Sequence, residues 1–222
     1  MKKYLKACLL MTMSLVLANC GKAKDDELTN KIDGFSVLSG SCPSAEGTQD
    51  KATVFQGSCV ASFNVIPPNS KSAYSIESKI SLKQIGAYYQ INLNSDNQAF
   101  NTGARIRFTK ITDSVAQATV QLNNATSGTV ASYQMRFVDA NDIQVIGTII
   151  PSGTNTRIVF WNMKDAPYTN SNMLFDSWNS GHFTNNMQVS PSEIMSGVIR
   201  GFMMQDAILM HAVFPETATI PL

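Results

Sequence analysis

YSIESKISLKQIGAYYQINL, residues 74–93, is the stretch on which the reading of the fold turns. Tyr74, Ile76, Ser78, Ile80 and Leu82 alternate with Ser75, Glu77, Lys79, Ser81 and Lys83. One face is mostly apolar and the other wet, at the period of two that a half-buried strand requires. Gly86 breaks the run, and Tyr89, Ile91 and Leu93 resume it against Gln90, Asn92 and Asn94. Two such runs joined by a short turn predict neighbouring antiparallel strands.

The same alternation continues on both sides of this stretch. From Phe35 onward the pattern is that of strands. Ala104, Ile106 and Phe108 alternate with Arg105, Arg107 and Thr109, and Ala116, Ala118, Val120 and Leu122 with Gln117, Thr119 and Gln121. Ala131, Tyr133, Met135 and Phe137 predict a further strand with those residues on its apolar face. Residues 143–150 and 156–161 are denser in β-branched side chains, which predicts strands near a sheet centre. Residues 162–191 are rich in Asn and Ser, show no sustained period and read as a long irregular region with a short strand near Met173 to Phe175. The chain closes with two expected strands, 198–202 and 206–214, separated by a polar turn. Helical periodicity is absent throughout. Many short strands with turn signals between them predict an all-β chain, an antiparallel sandwich or barrel.

At 222 residues the chain is long enough for a sizeable core. Its net charge of +1 and its charged fraction of 15% argue against nucleic acid as a partner, because phosphate recognition needs clustered Lys and Arg.

The first twenty residues predict the destination. Lys2, Lys3 and Lys6 precede an apolar run from Ala7 to Ala18, too short for the roughly 20 residues of a spanning helix, and Leu17-Ala18-Asn19-Cys20 ends it on a cysteine. This resembles the signal of bacterial lipoproteins, although Asn19 stands where that pattern usually has Gly, Ala or Ser. The resemblance implies removal of residues 1–19 and acylation of Cys20. Each buried methylene is worth about 0.8 kcal/mol, so several acyl chains together hold firmly to a membrane. Residues 20–31 then form a polar tether and 32–222 a single sandwich domain. Gly21, where Asp would favour retention at the inner membrane, implies a cell-envelope protein of the outer membrane. Of the other cysteines, Cys8 lies in the leader, and Cys42 and Cys59 in an exported chain predict a disulfide.

The strand order from Ser72 to Phe214 is similar to concanavalin A-like jelly rolls. The matching pieces are SAYSIESKISL, GAYYQINLNSD, GARIRFTKI, the Pro151-Ser152-Gly153 turn before TRIVFW, and GVIRGFMMQDAILMHAVF. The glucanases of that family carry a strand of alternating carboxylates, which this chain lacks. The resemblance therefore implies binding more than hydrolysis.

The candidate chemistry follows from residue types. A sugar presents an apolar C–H face and a ring of hydroxyls, so a site for it couples an aromatic ring with amide donors and acceptors. Trp161, Tyr168, Trp178 and Asn179 have those properties. His182 and His211 are the histidines, with no G-x-S-x-G segment to accompany them, and both read more simply as structural residues. The carboxylate pairs Asp139 with Asp142 and Asp165 with Asp176 read as turn residues before catalytic ones. The loops at Asp96 and at Asp139 and Asp142 offer oxygens of the kind calcium takes, without an EF-hand pattern. Met195, Met203, Met204 and Met210 read as core filling. The expectation is a lipid-anchored envelope protein that binds glycan or another surface polymer. The alternatives are a protein-interaction component of an envelope assembly and, behind it, a glycan hydrolase.

Overall fold

A computed structural model describes residues 35–46, 53–63, 74–95, 103–124, 128–131, 136–152, 155–162, 173–177 and 199–213. Thirteen strands run in chain order: β1 (Phe35–Ser41), β2 (Ser44–Glu46), β3 (Thr53–Phe63), β4 (Tyr74–Leu82), β5 (Tyr88–Ser95), β6 (Gly103–Lys110), β7 (Val115–Asn124), β8 (Gly128–Ala131), β9 (Arg136–Asp139), β10 (Ile143–Ser152), β11 (Asn155–Asn162), β12 (Met173–Asp176) and β13 (Ile199–Val213). Every pairing is antiparallel, and the main path is β12-β11-β10-β4-β13-β5-β6-β7-β8. The described residues contain no helix.

This path folds over on itself as an antiparallel β-sandwich. The first half of β13 pairs with β5 and the second half with β4, while β3 pairs with both halves. One leaf is therefore β12-β11-β10-β4 with the end of β13. The other is the start of β13 with β5-β6-β7 and, on β7, the short strands β8 and β9. The corner lies at Gln205 and Asp206, where two residues of β13 stand opposite Ser58 alone. Asp206 is the single described non-glycine residue with positive φ, 51°. Its amide donates to Ser58 Oγ (3.1 Å), its carbonyl accepts from Lys83 N (2.9 Å), and its Oδ2 accepts from Gln84 Nε2 (3.0 Å). On the partner strand Gly57 has φ 134°, and a Cβ there would lie 2.5 Å from Ser41 O, so only glycine lets β1 and β3 close at this point. The Cys42–Cys59 disulfide fastens the same corner. A link closing a loop of this size stabilises by about 3 kcal/mol in the chain-entropy model.

Contacts across the interior show the two leaves face to face. Phe35, paired with Phe63, meets the ring of Phe55 at 5.2 Å, although eight residues of straight strand would hold them about 26 Å apart. Ser78 of β4 and Tyr89 of β5 share a 2.6 Å hydrogen bond, and the Tyr89 ring stacks on Phe202 at 5.8 Å. Burial pushes the Tyr89 phenol pKa well up, against the opposing effect of the Ser78 hydrogen bond, so the group stays a neutral core member. A Cβ added at Gly147 of the first leaf would lie 2.7 Å from the Phe160 ring and 3.5 Å from Leu93 Cδ1 of the second. Lys110 Nζ donates to Leu82 O (2.9 Å) and Asn141 Oδ1 (3.1 Å), which joins both leaves at one end of the core.

Three sequence expectations change. The runs at 74–82 and 89–93 are not neighbours: β13 separates them, and the turn at Gln84 to Ala87, with φ 88° at Gly86, carries the chain from one leaf to the other. The two expected closing strands are one strand, because the polar pair Gln205-Asp206 forms a bulge that bends the chain without reversing it. Phe137 lies on the outer face, 66% exposed, since its pairing with Gln117 turns it away from the core. Residues 132–135 of that expected strand lie outside the described residues.

If the corner rests on Asp206, Asp206→Asn keeps both the positive φ and an acceptor for Gln84 and should match the parent in a urea titration. Asp206→Val, a β-branched residue forced into the left-handed region, should lose about 1–2 kcal/mol.

Candidate functional site

The outer faces of the two leaves differ in kind. On the first leaf Ile146, Val159, Trp161 and Met173 form a second buried apolar cluster. Beside it, Ser75 Oγ and Thr148 Oγ1 meet at 2.7 Å, and Arg157 grips Asp176 through Nε (3.1 Å) and Nη2 (2.9 Å). Trp161, expected as a candidate ligand-binding residue, is 4% exposed and belongs to this sealed layer. Tyr168, Trp178 and Asn179 lie outside the described residues, as do His182, Asp96, Asp165, Cys20 and the leader. Of the expected aromatic set, Trp161 is the member among the described residues, and it is buried.

On the second leaf three neighbouring strands send polar side chains outward in register. Met203, Gln90, Arg107 and Thr119 form one cross-strand row, and Asn92, Arg105 and Gln121 the next. Tyr88, Thr109, Gln117 and Phe137 form the row on the other side. Among the described residues, Gln90, Arg105, Arg107, Thr119 and Gln121 line a groove of about 180 Å³.

The hydrogen bonds give the groove a floor and walls. Gln90 and Asn92 are fully buried although they sit on the outer face. Gln90 Nε2 donates to Asn92 Oδ1 (2.7 Å) and to Met203 Sδ (3.5 Å), and Gln90 Oε1 accepts from Arg107 Nε (2.7 Å). The Arg107 guanidinium lies 4.4 Å above the centre of the Tyr88 ring. Arg105 donates through Nε (2.9 Å) and through Nη2 to Gln121 Oε1. Burial, and then the neighbouring Arg107 charge, hold the Arg105 pKa below the usual arginine value. Asn92 Nδ2 is buried with no hydrogen-bond partner. Such a group costs about 1–3 kcal/mol, so its presence calls for a reason.

Sequence reading placed Gln90, Asn92, Arg105, Arg107, Thr119 and Gln121 on the wet side of their strands without grouping them. Alternation gives each side chain its face, but the grouping depends on the register among β5, β6 and β7, which no local pattern encodes.

Other surfaces offer less. A larger depression of about 460 Å³ at the corner is lined by Ser41, Pro43, Gln56, Gly57, Lys83, Gln84, Asp206 and Ala207, of which several build the bend itself. In the Asp139 to Asp142 turn, Asp139 Oδ1 accepts from Asn141 N and Asp142 Oδ1 from Gln144 Nε2, as in ordinary turn chemistry.

No protein-family model matches the sequence, and no curated protein is similar to it at a significant level. Several solved structures are similar in shape. Carbohydrate-binding module CBM66 from Bacillus subtilis is 15% identical, with 83% of this chain and 93% of that one covered and a TM-score of 0.40. A protein of unknown function from Shewanella oneidensis MR-1 is 7% identical, with coverages of 90% and 87% and a TM-score of 0.41. The binding domain of botulinum neurotoxin DC, solved in complex with rat synaptotagmin II, is 13% identical, with coverages of 86% and 47% and a TM-score of 0.38. At these identities and scores no site residue passes from them to this chain.

The buried amide pair can be tested for its cost. Gln90→Leu alone strands Asn92 Oδ1 and should lose about 1–3 kcal/mol in a urea titration. With Asn92→Leu added, the stranded amide oxygen is removed and part of the loss should be recovered, the remainder reflecting Arg107 Nε, whose acceptor on Gln90 is gone.

Proposed function

We propose that this chain is a lipid-anchored cell-envelope protein whose sandwich binds a polysaccharide, without chemistry, through the outer face of β5, β6 and β7. The observation that carries the reading is the groove itself. Two guanidinium groups, a threonine hydroxyl and a glutamine converge on it over a floor of buried amides, with the Tyr88 ring alongside. That combination of a ring face and fixed polar groups suits saccharide units, which pair an apolar face with hydroxyls. The groove's described lining is of amides, a hydroxyl and guanidinium groups, which suits binding of hydroxyls through hydrogen bonds. For the alternative of a protein-interaction component, the described large apolar side chains left exposed are Val37, Ile85, Ile111 and Phe137, spread over β1, two turns and β9. Single apolar residues of this kind are ordinary surface.

The anchor enters from the sequence. Acylation at Cys20 and export of the mature chain would place the binding face at a membrane surface, joined to it by the tether of residues 20–31.

Two experiments test the two halves of this reading. On a glycan array the parent should bind a discrete set of polysaccharides, and Thr119→Tyr, which fills the groove, should lose them by about tenfold or more. Should Trp178→Ala lose the signal while Thr119→Tyr keeps it, the ligand sits elsewhere and the sheet-face reading falls. In cells of a bacterial host, the parent should incorporate labelled palmitate and fractionate with membranes. Cys20→Ala should do neither, and membrane retention of that variant would reject the anchor.

A further inference from the structure

The groove is rich in donors, and its strongest acceptors are occupied. Gln90 Oε1 and Gln121 Oε1, the two amide oxygens of its lining, both already accept from guanidinium groups. Arg105 and Arg107 sit two residues apart on the same face of β6, so their Cα atoms are about 7 Å apart and their charges repel. Two adjacent cations on one sheet face are unfavourable until something negative lies between or over them. Arg107 is held through Nε by Gln90 and braced on Tyr88, and its Nη nitrogens have no hydrogen-bond partner among the described residues. A fork fixed at its stem and open at its end is built to grip a planar or tetrahedral oxyanion with two parallel hydrogen bonds. The chain as a whole carries only +1, so attraction for an anion here is local and does not come from a basic surface field.

We propose that this groove selects an acidic polysaccharide, one whose sugar residues carry an oxyanion that lies on the open fork of Arg107 beside Arg105. The inference rests on the reading of this face as a saccharide-binding surface and adds the class of saccharide. Gln90 and Tyr88 act as positioning residues: they set the orientation of the fork and leave the contact with the anion to the arginine. Sugar carboxylates and sugar sulfates share the chemistry, and the measurement separates them.

The full chain, purified in detergent, would be titrated calorimetrically with matched polymers. These are polygalacturonate against its fully methyl-esterified form, and dextran sulfate against dextran. The proteins are the parent, Arg107→Gln and Arg107→Lys, each checked for an unchanged near-ultraviolet spectrum and melting temperature. The parent should prefer at least one acidic polymer to its neutral partner by about tenfold or more, and the pair that shows the preference identifies carboxylate or sulfate as the anion. Arg107→Gln should abolish that preference, bringing the affinity for the acidic polymer down to that for its neutral partner measured with the same variant. Arg107→Lys, a point charge without the fork, should restore part of it. Equal affinity of the parent for acidic and neutral polymers overturns the inference and leaves the saccharide-binding reading standing. A preference that survives Arg107→Gln also overturns it. Duplex DNA bound as tightly as the acidic polymers would reduce the groove to an unselective cation exchanger and reject the inference. Failure to bind any of the four polymers, together with silence on the glycan array, removes both readings.

Discussion

The bend of β13 at Gln205 and Asp206 is the constraint on which the architecture depends. A strand that pairs with β5 before the bend and with β4 after it belongs to both leaves, and β3 follows it through the corner on the other side. Open sheets of many strands accumulate twist and must curl, split or flatten. Here the sheet stays hydrogen-bonded through the fold along β13 and β3, and this brings the two inner faces opposite each other. The restraints on that one position are of different kinds. Ser58 caps the Asp206 amide, the start of the β4–β5 turn binds its carbonyl and carboxylate, Gly57 admits β1, and a disulfide lies one residue from Ser58. Loss of any one leaves the others, which is how a left-handed aspartate persists inside a fifteen-residue strand.

Much of this was legible in the sequence. Each side chain's face follows from its own position in an alternating run, so Ile76, Ser78, Ile80 and Leu82 were assigned inward, and they are buried. Which strands neighbour one another was not legible. A short turn between two alternating runs reads as a hairpin, and here it is a crossing between leaves; the parity of the side chains is the same in both arrangements. Gln205-Asp206 was read as a reversal for a similar reason. A polar residue that tolerates positive φ serves both a turn and a bulge, and only the pairing of residues on both sides distinguishes them. Phe137 carried the opposite ambiguity. An aromatic in an alternating run is expected inward, but its strand is a four-residue edge piece whose register is set by β7.

The two outer faces show what residue type alone leaves open. Trp161 drew attention because exposed tryptophan suits sugar. The outer face of its leaf is closed, with Ile146, Val159 and Met173 packed around it and Ser75 paired to Thr148. The bidentate ion pair of Arg157 and Asp176 sits at 25% and 10% side-chain exposure, a pair whose worth depends on its geometry because both charges have lost water. The other leaf has the converse design. Its groove is lined by amides, a hydroxyl and guanidinium groups, and no single one of them stands out in the sequence.

The energetics of that second face argue against a purely structural role. A sheet surface selected for stability would place aliphatic or aromatic cross-strand pairs there, each worth about 0.2–1 kcal/mol over alanine. This one buries two amides, leaves Asn92 Nδ2 without a partner and sets two like charges side by side on β6. The compensation lies in rigidity. Gln90 and Tyr88 hold Arg107 before any ligand arrives, and Gln121 holds Arg105. Ordering a long side chain on binding costs about 0.5–1.5 kcal/mol, and a side chain already ordered by its neighbours avoids most of that loss. Strands hold these groups more firmly than loops would, so the stability given up in the folded chain reappears as pre-organisation of the face.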